Sequence, residues 1–326
     1  MNSTWKTYQA TISGRDIHPD APLAQVAIRA FQSTEDFVAP RLFPAVTVEH
    51  ETDQYYILDP NSWLLVPRDL RARKTSPNRI EWRVTSDSYA VKHRVVAGEL
   101  AKEDLANADA AIRLRENTTK NVTEGLLRAL EDRIALQVTS ITNVGSGVTL
   151  SGADLWSDYV NSDPVAAVNT GHAFIEGKTG LHANTLVLDK DTYRVLRRHP
   201  VLLDMFKYVS GGVVKDDELK QVFEVSNLWV ARGIKNMALE GATASIVNIW
   251  GNCALLAKVD PGAVGMETVT FGLAFRWQPE DFPAPMQAVR YDDPDPGRRV
   301  EIVEAGYFQD EKIVARDLSY LIKTTI

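Results

Sequence analysis

The sequence predicts an α+β protein that combines one long amphipathic helix with many short strands. Residues 103–141 form the strongest helical stretch, because their apolar residues recur at steps of three or four. This apolar stripe consists of Val122, Leu126, Leu130, Ile134, Val138 and Ile141. From about residue 160 onward, helical and strand patterns are interspersed without an internal repeat. With 326 residues and 44% hydrophobic content, the chain can bury an ordinary core as one large or two smaller domains.

Residues 1–45 are predicted to form an extended arm rather than a domain. Four prolines interrupt this segment: Pro19, Pro22, Pro40 and Pro44. Only Leu23 to Phe31 has a helical pattern. An arm of this kind needs a surface to lie on.

A long antiparallel hairpin is predicted after the arm. Its first strand lies between Val46 and Leu58, and its second between Ile80 and Val96. The intervening segment, residues 59–79, is apolar and basic at once. Its apolar and basic side chains are Trp63, Leu64, Leu65, Arg68, Arg71, Arg73, Lys74 and Arg79.

The segment 59–79 has three interpretations. A solvated loop accounts for the charges but leaves the apolar residues unexplained. A nucleic-acid contact accounts for the arginines. A contact with a neighbouring subunit accounts for both, because aromatic residues and arginine are enriched at interface centres. We therefore expect this set of residues to form an inter-subunit contact.

Short helices and strands are predicted over the second half of the chain. Helices are expected at 163–175 and 191–199, on either side of a strand at 185–188. Further strands are expected at 223–225, 228–230, 245–250, 254–259, 268–277, 288–291, 300–307, 312–317 and 318–326.

Charge and cysteine content restrict the function. The formal net charge of −7 argues against a broad basic surface that grips nucleic acid. The single cysteine, Cys253, excludes an intrachain disulfide and a multi-thiolate metal site. No apolar run reaches the roughly 18 residues of a membrane span, and no secretory signal is recognisable, so no membrane partner is expected.

The string from Gly171 to Thr179 resembles a phosphate-binding P-loop. It has five residues between Gly171 and Gly177 where the G-x-x-x-x-G-K-[ST] pattern has four. A P-loop follows a strand and opens a helix, whereas here a predicted helix precedes the string and a strand follows it. We therefore expect the glycines to end a helix.

Other catalytic or metal-binding patterns are incomplete. The six histidines form no H-E-x-x-H motif and no i, i+4 pair of histidines, so they are interpreted as ordinary polar or surface residues. Cys253 is followed by apolar residues and is interpreted as an inert core thiol. The acidic run 292–295 is interpreted as an exposed turn rather than a cation site. The sequence thus predicts no enzyme activity, no cofactor and no metal.

The order of elements and several short phrases point to a known family. The phrases are Asn184 to Asp189, Tyr193, His199-Pro200, Lys207-Tyr208, Phe223 to Val225, Leu228 to Val230, Trp250 to Asn252, Ala254 to Leu256, Phe271 to Trp277 and Tyr320 to Lys323. In this order they resemble the Hong Kong 97-type major capsid proteins of tailed bacteriophages. The resemblance spans nearly the whole chain, and its specificity lies in the order rather than in any single phrase.

The resemblance implies a division of the chain into parts. Residues 1–45 would form the N-terminal arm, and 46–96 the extended loop. Residues 97–184 would form the peripheral domain with its spine helix, 185–270 the axial domain, and 271–326 strands that return to the peripheral domain.

The resemblance also implies a function. Such a subunit self-assembles as pentamers and hexamers into an icosahedral head that encloses double-stranded DNA. Assembly would take place in the bacterial host cytoplasm. The implied partners are copies of the chain itself, a scaffolding protein, a portal and a decoration protein, with weak non-specific contact to packaged DNA. Some family members begin with a long cleavable scaffolding segment, and the short arm starting at Met1 favours a separate scaffold.

Two alternatives remain open at this point. An encapsulin, a protein compartment that encloses an enzyme, uses the same fold with a shorter arm. A nucleotide-binding enzyme would use Gly177, Lys178 and Thr179 as a phosphate loop.

Overall fold

The computed structural model describes residues 18–19, 37–58, 64–66, 69–71, 76–77, 79, 84–107, 111–206, 214–239, 241–262, 269–280, 284–295 and 297–326. The described residues fall into two compact units. The first unit draws on His93–Ala129 and Gln278–Phe308, and the second on Asp36–Lys92, Leu130–Trp277 and Gln309–Ile326. The predicted arm helix at Leu23 to Phe31 lies outside the described residues.

Helices and strands alternate along the described chain. The helices are α1 (Ala39–Leu42), α2 (Lys102–Asn107), α3 (Ala111–Val138), α4 (Pro164–Thr179), α5 (Lys190–Leu196), α6 (Pro200–Met205) and α7 (Asp216–Val222). The strands are β1 (His18–Pro19), β2 (Ala45–Val48), β3 (Thr52–Leu58), β4 (Val84–Ala90), β5 (Lys92–Ala101), β6 (Ser146–Thr149), β7 (Thr185–Asp189), β8 (Asn227–Ala231), β9 (Ile234–Asn236), β10 (Ile246–Asn248), β11 (Cys253–Ala257), β12 (Gly272–Trp277), β13 (Gln287–Asp292), β14 (Val300–Ile313) and β15 (Ser319–Lys323). No helix in these ranges is both long and apolar enough to cross a membrane.

The first unit packs the amino-terminal part of α3 on antiparallel strands. β13 pairs with the first part of β14 and with β1, and β5 also pairs with β14. The core between helix and strands is apolar and comprises Leu100, Val122, Leu126, Met286, Ala288, Val303, Ala305 and Tyr307. At its edge the Arg115 guanidinium donates two hydrogen bonds, of 2.7 and 2.8 Å, to the Glu301 carboxylate. The bidentate pair fixes the orientation of the helix on the strands.

The second unit contains a mixed sheet in the order β6-β15-β11-β7-β8. β11 runs antiparallel to β15 and β7, whereas β7 and β8 are parallel. Every residue of β7 and β11 is buried, as expected for strands that are covered on both faces. Helix α4 covers one side closely at Gly171, where a Cβ atom would lie 2.9 Å from the Tyr320 ring.

The same unit holds the base of the predicted hairpin. β3 and β4 pair antiparallel from Thr52 opposite Ala90 to Leu58 opposite Val84. β2 runs parallel to β12, which also pairs with the last part of β14. The predicted hairpin is therefore confirmed, although the second predicted strand is two strands, β4 and β5.

The boundaries of several predicted elements were wrong for local reasons. Phe223 to Val225 is no strand, because Phe223 follows the end of α7 and Glu224 adopts a left-handed φ of 52°. The acidic residues of the first turn of α7 stabilise a helix that the periodicity did not predict. The helix predicted to end at His199 ends at Leu196, because Pro200 starts a new helix at α6. The strands predicted at 300–307 and 312–317 are one strand, β14.

A buried carboxylate joins distant segments of the second unit. Glu131 on α3 has no exposed surface. Its two oxygens accept hydrogen bonds from the backbone N–H groups of Val38 (3.2 Å) and Ala39 (2.7 Å). The indole N–H of Trp250 donates a third, short hydrogen bond. Burial raises the pKa of Glu131, and the three hydrogen bonds oppose that rise.

Replacing Glu131 by alanine is expected to destabilise the subunit strongly. The change leaves three buried donors without an acceptor, at a cost of about 3 kcal/mol or more. Urea denaturation of the unassembled subunit should show the midpoint displaced to lower urea. Glu131→Gln retains one acceptor oxygen and should lower the urea midpoint less. Glu124→Ala, at an exposed position of the same helix, should leave the midpoint nearly unchanged. Equal midpoints for wild type and Glu131→Ala would contradict this role.

Candidate subunit interface

The hairpin that carries the predicted contact residues has a rigid base. Tyr55 and Tyr89 are each 2% exposed and contact Phe275 of β12: the Tyr89 ring stacks on it with centroids 4.6 Å apart, and the Tyr55 ring is tilted against it at 5.1 Å. The Tyr55 hydroxyl donates to Asp87 at 3.1 Å, and the backbone N–H of Ala90 donates to Asp310 at 3.1 Å. Burial, followed by the Asp87 charge, raises the pKa of Tyr55 and keeps its hydroxyl protonated as a donor.

The loop at the far end of this hairpin exposes large apolar side chains. Leu64, Leu65, Val66 and Leu70 are 56%, 64%, 86% and 89% exposed. Apolar residues exposed side by side are unusual for a monomer and mark interaction surfaces. The loop therefore has the composition of an interface with no covering surface in the described chain.

The predicted contact residues divide into two groups. Leu64, Leu65, Arg71 and Arg79 are described, and all of them are exposed on the segment between β3 and β4. Trp63, Arg68, Arg73 and Lys74 lie outside the described residues. The contact itself stays a prediction, since its partner would be another chain.

A second apolar surface was not predicted from the sequence. The hairpin of β9 and β10 exposes Met237, Leu239 and Ile246 at 62%, 85% and 65%. Its turn is held by Asn236, whose side-chain oxygen accepts from the backbone N–H groups of Ala238 and Ser245. The sequence predicted a strand at 245–250. Within the described residues β9 and β10 pair only with each other, and this pairing leaves the hairpin exposed.

The P-loop-like string lies within a helix. Gly171 to Thr179 belongs to α4, which begins at the N-cap Asp163 and ends at Gly180 with φ 70°. Gly177 therefore does not end the helix, contrary to expectation, and Lys178 is exposed on the helix surface. Without a strand, loop and helix N-terminus in sequence, this string has no phosphate-binding geometry.

The single thiol is inert. Cys253 is buried in β11, and burial raises its pKa to about 12. The thiolate, which is the reactive form, is therefore not populated near neutral pH. This agrees with the prediction of a core thiol.

Among the histidines whose side chains the structure describes, two are buried, contrary to the prediction that the histidines are ordinary polar or surface residues. His172 is 6% exposed and His199 has no exposed surface. His199 Nε2 lies 3.0 Å from the Ser162 hydroxyl, which itself donates to the backbone carbonyl of Asp158 at 2.7 Å. The hydroxyl therefore accepts from His199, so this Ser–His pair is structural and not a nucleophile with its base.

Buried His199 is expected to make stability depend on pH. Burial lowers its pKa from the ordinary value of 6.5, so the unfolded chain takes up a proton at a higher pH than the folded one. This contribution to stability is present above pH 6.5 and is lost as the pH falls towards the lower pKa of the folded state. Urea midpoints at about pH 7.5 and pH 5.5 measure the effect, and the difference between them should shrink in His199→Gln. The same change at exposed His50 should leave the difference as in wild type, and an unchanged difference in His199→Gln would contradict the assignment.

No family model matches the chain. A curated protein of Pseudomonas phage JBD67, named major capsid protein, is 26% identical over 315 residues, which is 95% of this chain and 97% of the relative. The chain is therefore similar in sequence, over nearly its whole length, to a phage major capsid protein. Both chains are matched almost completely, so the similarity concerns the whole subunit and not one shared segment.

Solved structures agree with this relationship. The crystal structure of a phage-related protein from Bordetella bronchiseptica superposes with a TM-score of 0.72 at 21% identity, covering 92% of this chain and 96% of the other. The capsid structure of cyanophage P-SCSP1u superposes with a TM-score of 0.58 at 10% identity, covering 89% and 88%. The α+β class and the Hong Kong 97-type capsid fold, both predicted from the sequence, are thereby confirmed.

Proposed function

We propose that this chain is a phage major capsid protein, a structural protein and not an enzyme. Its copies assemble as pentamers and hexamers into an icosahedral head that encloses double-stranded DNA. The observation that carries this proposal is the near full-length similarity to a major capsid protein in sequence, with a capsid fold in structure. The encapsulin alternative has weaker support, because the relative similar in sequence is a phage head protein.

The exposed apolar side chains support self-assembly. Fully burying a side chain the size of leucine or valine contributes roughly 1.5–3 kcal/mol, so Leu64, Leu65, Val66 and Leu70 together favour association with another surface. Arg71 and Arg79 lie on the same segment and suit an acidic partner surface. Since the shell consists of copies of one chain, the partner surface is assigned to a neighbouring copy.

Under this proposal, we assign each part of the chain a role in the shell. Residues 1–45 act as an arm, 46–96 as the extended loop that lies across a neighbour, and 97–184 as the peripheral domain. Residues 185–270 act as the axial domain around the symmetry axis of each pentamer or hexamer, and 271–326 return to the peripheral domain.

The partners follow from the same proposal. A separate scaffolding protein, a portal and a decoration protein would act with the shell, which assembles in the bacterial host cytoplasm and ends in the virion capsid. Contact with packaged DNA would be weak and non-specific, because a chain with net charge −7 repels phosphate.

Electron microscopy of the purified chain, alone and co-expressed with a scaffold, tests the function. Closed icosahedral shells are expected, and shells recovered from phage lysates should contain DNA. A persistent monomer under all conditions would contradict the shell proposal. Shells that enclose a cargo enzyme and no DNA would favour the encapsulin alternative.

Substitutions in the loop test its role as the contact. Leu65→Asp and Arg71→Glu should leave the circular dichroism and urea midpoint of the subunit unchanged, because both side chains are exposed. Shell yield, measured by sedimentation and microscopy, should fall at least tenfold. Leu65→Met and Arg71→Lys, which retain the apolar surface and the charge, are the matched controls and should assemble. Normal shells from both disruptive variants would contradict the role of the loop as an inter-subunit contact.

A further inference from the structure

Three potential metal ligands converge at the end of helix α4. His172 and Glu176 lie one turn apart on this helix, and His182 follows Gly180, whose left-handed φ of 70° turns the chain back. One donor atom from each of the three side chains lies within 4.8 Å of the others. The proposed shell function uses none of these side chains.

Hydrogen bonds orient both imidazole rings. His172 Nε2 lies 2.9 Å from the backbone carbonyl oxygen of Phe223, and His182 Nε2 lies 3.0 Å from that of Glu224. A carbonyl oxygen can only accept, so each ring carries a proton on Nε2. In the neutral ring, Nδ1 is then the atom with the free lone pair.

The two Nδ1 atoms have different surroundings. Nδ1 of His172 is buried and has no hydrogen-bond partner in the described structure. Nδ1 of His182 lies 2.5 Å from Oε1 of Glu176. His182 Nδ1 and Glu176 Oε1 both carry lone pairs when the ring is neutral and the carboxyl is ionised. A positive charge is therefore needed between these two atoms. At 2.5 Å a proton on Nδ1 of His182 supplies it, and a metal ion can replace this proton once the two atoms move to about 3 Å apart.

The backbone around Glu224 contributes to this arrangement. Glu224 has a φ of 52°, in the left-handed region that residues other than glycine rarely adopt, just after the end of α7. Two consecutive carbonyl groups, of Phe223 and Glu224, each receive one ring N–H. Histidines that bind metals donate their other N–H in the same way, because this sets the tautomer and the ring orientation.

We propose that His172, Glu176 and His182 form a binding site for one divalent transition-metal ion of the zinc class. Two imidazole nitrogens and one carboxylate oxygen are a donor set that Zn²⁺ accepts, and a fourth position remains for water. The site opens to solvent on one side, since the His182 and Glu176 side chains are 44% and 50% exposed.

Binding requires a small rearrangement of the exposed ligands. The two imidazole rings stack with centroids 4.4 Å apart and an interplanar angle of 12°. A metal lies near the plane of each ring that binds it, at about 2.0–2.1 Å from the nitrogen, so parallel rings cannot share one ion. His182 has to tilt and to change its hydrogen bond to the Glu224 carbonyl, which its partial exposure permits, while His172 is held in the core. The bound ion then joins helix α4 to the segment that follows Gly180 and stabilises the folded subunit.

Metal titration of the tag-free, unassembled full-length chain tests the site. After treatment with EDTA, equilibrium dialysis against Zn²⁺ should show one ion bound per chain. Glu176→Gln and His182→Ala should each weaken the affinity about tenfold or more while circular dichroism stays unchanged. His50→Ala, which removes an exposed histidine elsewhere, is the matched control and should bind as wild type does.

Two further readouts decide the outcome. Co²⁺ should give visible absorption bands of a four-coordinate site, and these bands should be lost in His182→Ala. Zn²⁺ should also raise the thermal midpoint of wild type but not of Glu176→Gln. Absence of saturable binding, or affinity that both site variants leave within a few fold of wild type, would overturn the proposal.

Discussion

The buried carboxylate of Glu131 is the contact on which the second unit depends. Its hydrogen-bond donors are 93, 92 and 119 residues away in sequence, at Val38, Ala39 and Trp250. An ionisable group without exposed surface is costly unless every lone pair that faces the protein has a donor. The segment before β2, the helix α3 and the turn before β11 are therefore tied at a single point. Loss of any one of these donors would leave charge or polarity unpaired in the core.

The surroundings of this contact are also closely packed. A Cβ atom added at Gly233, which precedes β9, would lie 3.5 Å from the Glu131 side chain and 3.1 Å from the Ile249 side chain. Lys235 on β9 forms an ion pair of 2.5 Å with Asp132, the neighbour of Glu131 on α3. The β9–β10 hairpin is thus anchored at its base while its tip exposes Met237 and Leu239. The β3–β4 hairpin follows the same scheme, with buried tyrosines packed on Phe275 at the base and exposed leucines at the tip. Closely packed bases with exposed apolar tips suit the proposed shell role, in which stability and assembly contacts would reside in different residues.

Several parts of this arrangement could be predicted from the sequence because they rest on local patterns. The apolar stripe of Val122, Leu126 and Leu130 is a one-dimensional signal, and these residues face the core. The fully buried strands β7 and β11, whose residues are mostly apolar, were found for the same reason. In the loop, leucines beside arginines predicted an exposed contact from composition alone, and the described residues of that loop are exposed. Short helices such as α6 and α7 have too few residues to show a period, and they were missed.

The sequence by itself determined the class of the fold, the long helix, the hairpin and the lack of a complete catalytic motif, because each is encoded in neighbouring residues. Only the tertiary structure decided which distant residues meet. In the sequence, Glu131 does not differ from the other acidic residues. In the structure, Val38, Ala39 and Trp250 each donate a hydrogen bond to its carboxylate. The sequence around His172 and His182 matches no metal-binding motif. In the structure, Gly180 turns the chain back, and the carbonyl groups of Phe223 and Glu224 hold the two rings side by side. The physical reason is that hydrogen bonding and metal binding depend on distance in space, and the turns that set these distances carry little signal of their own.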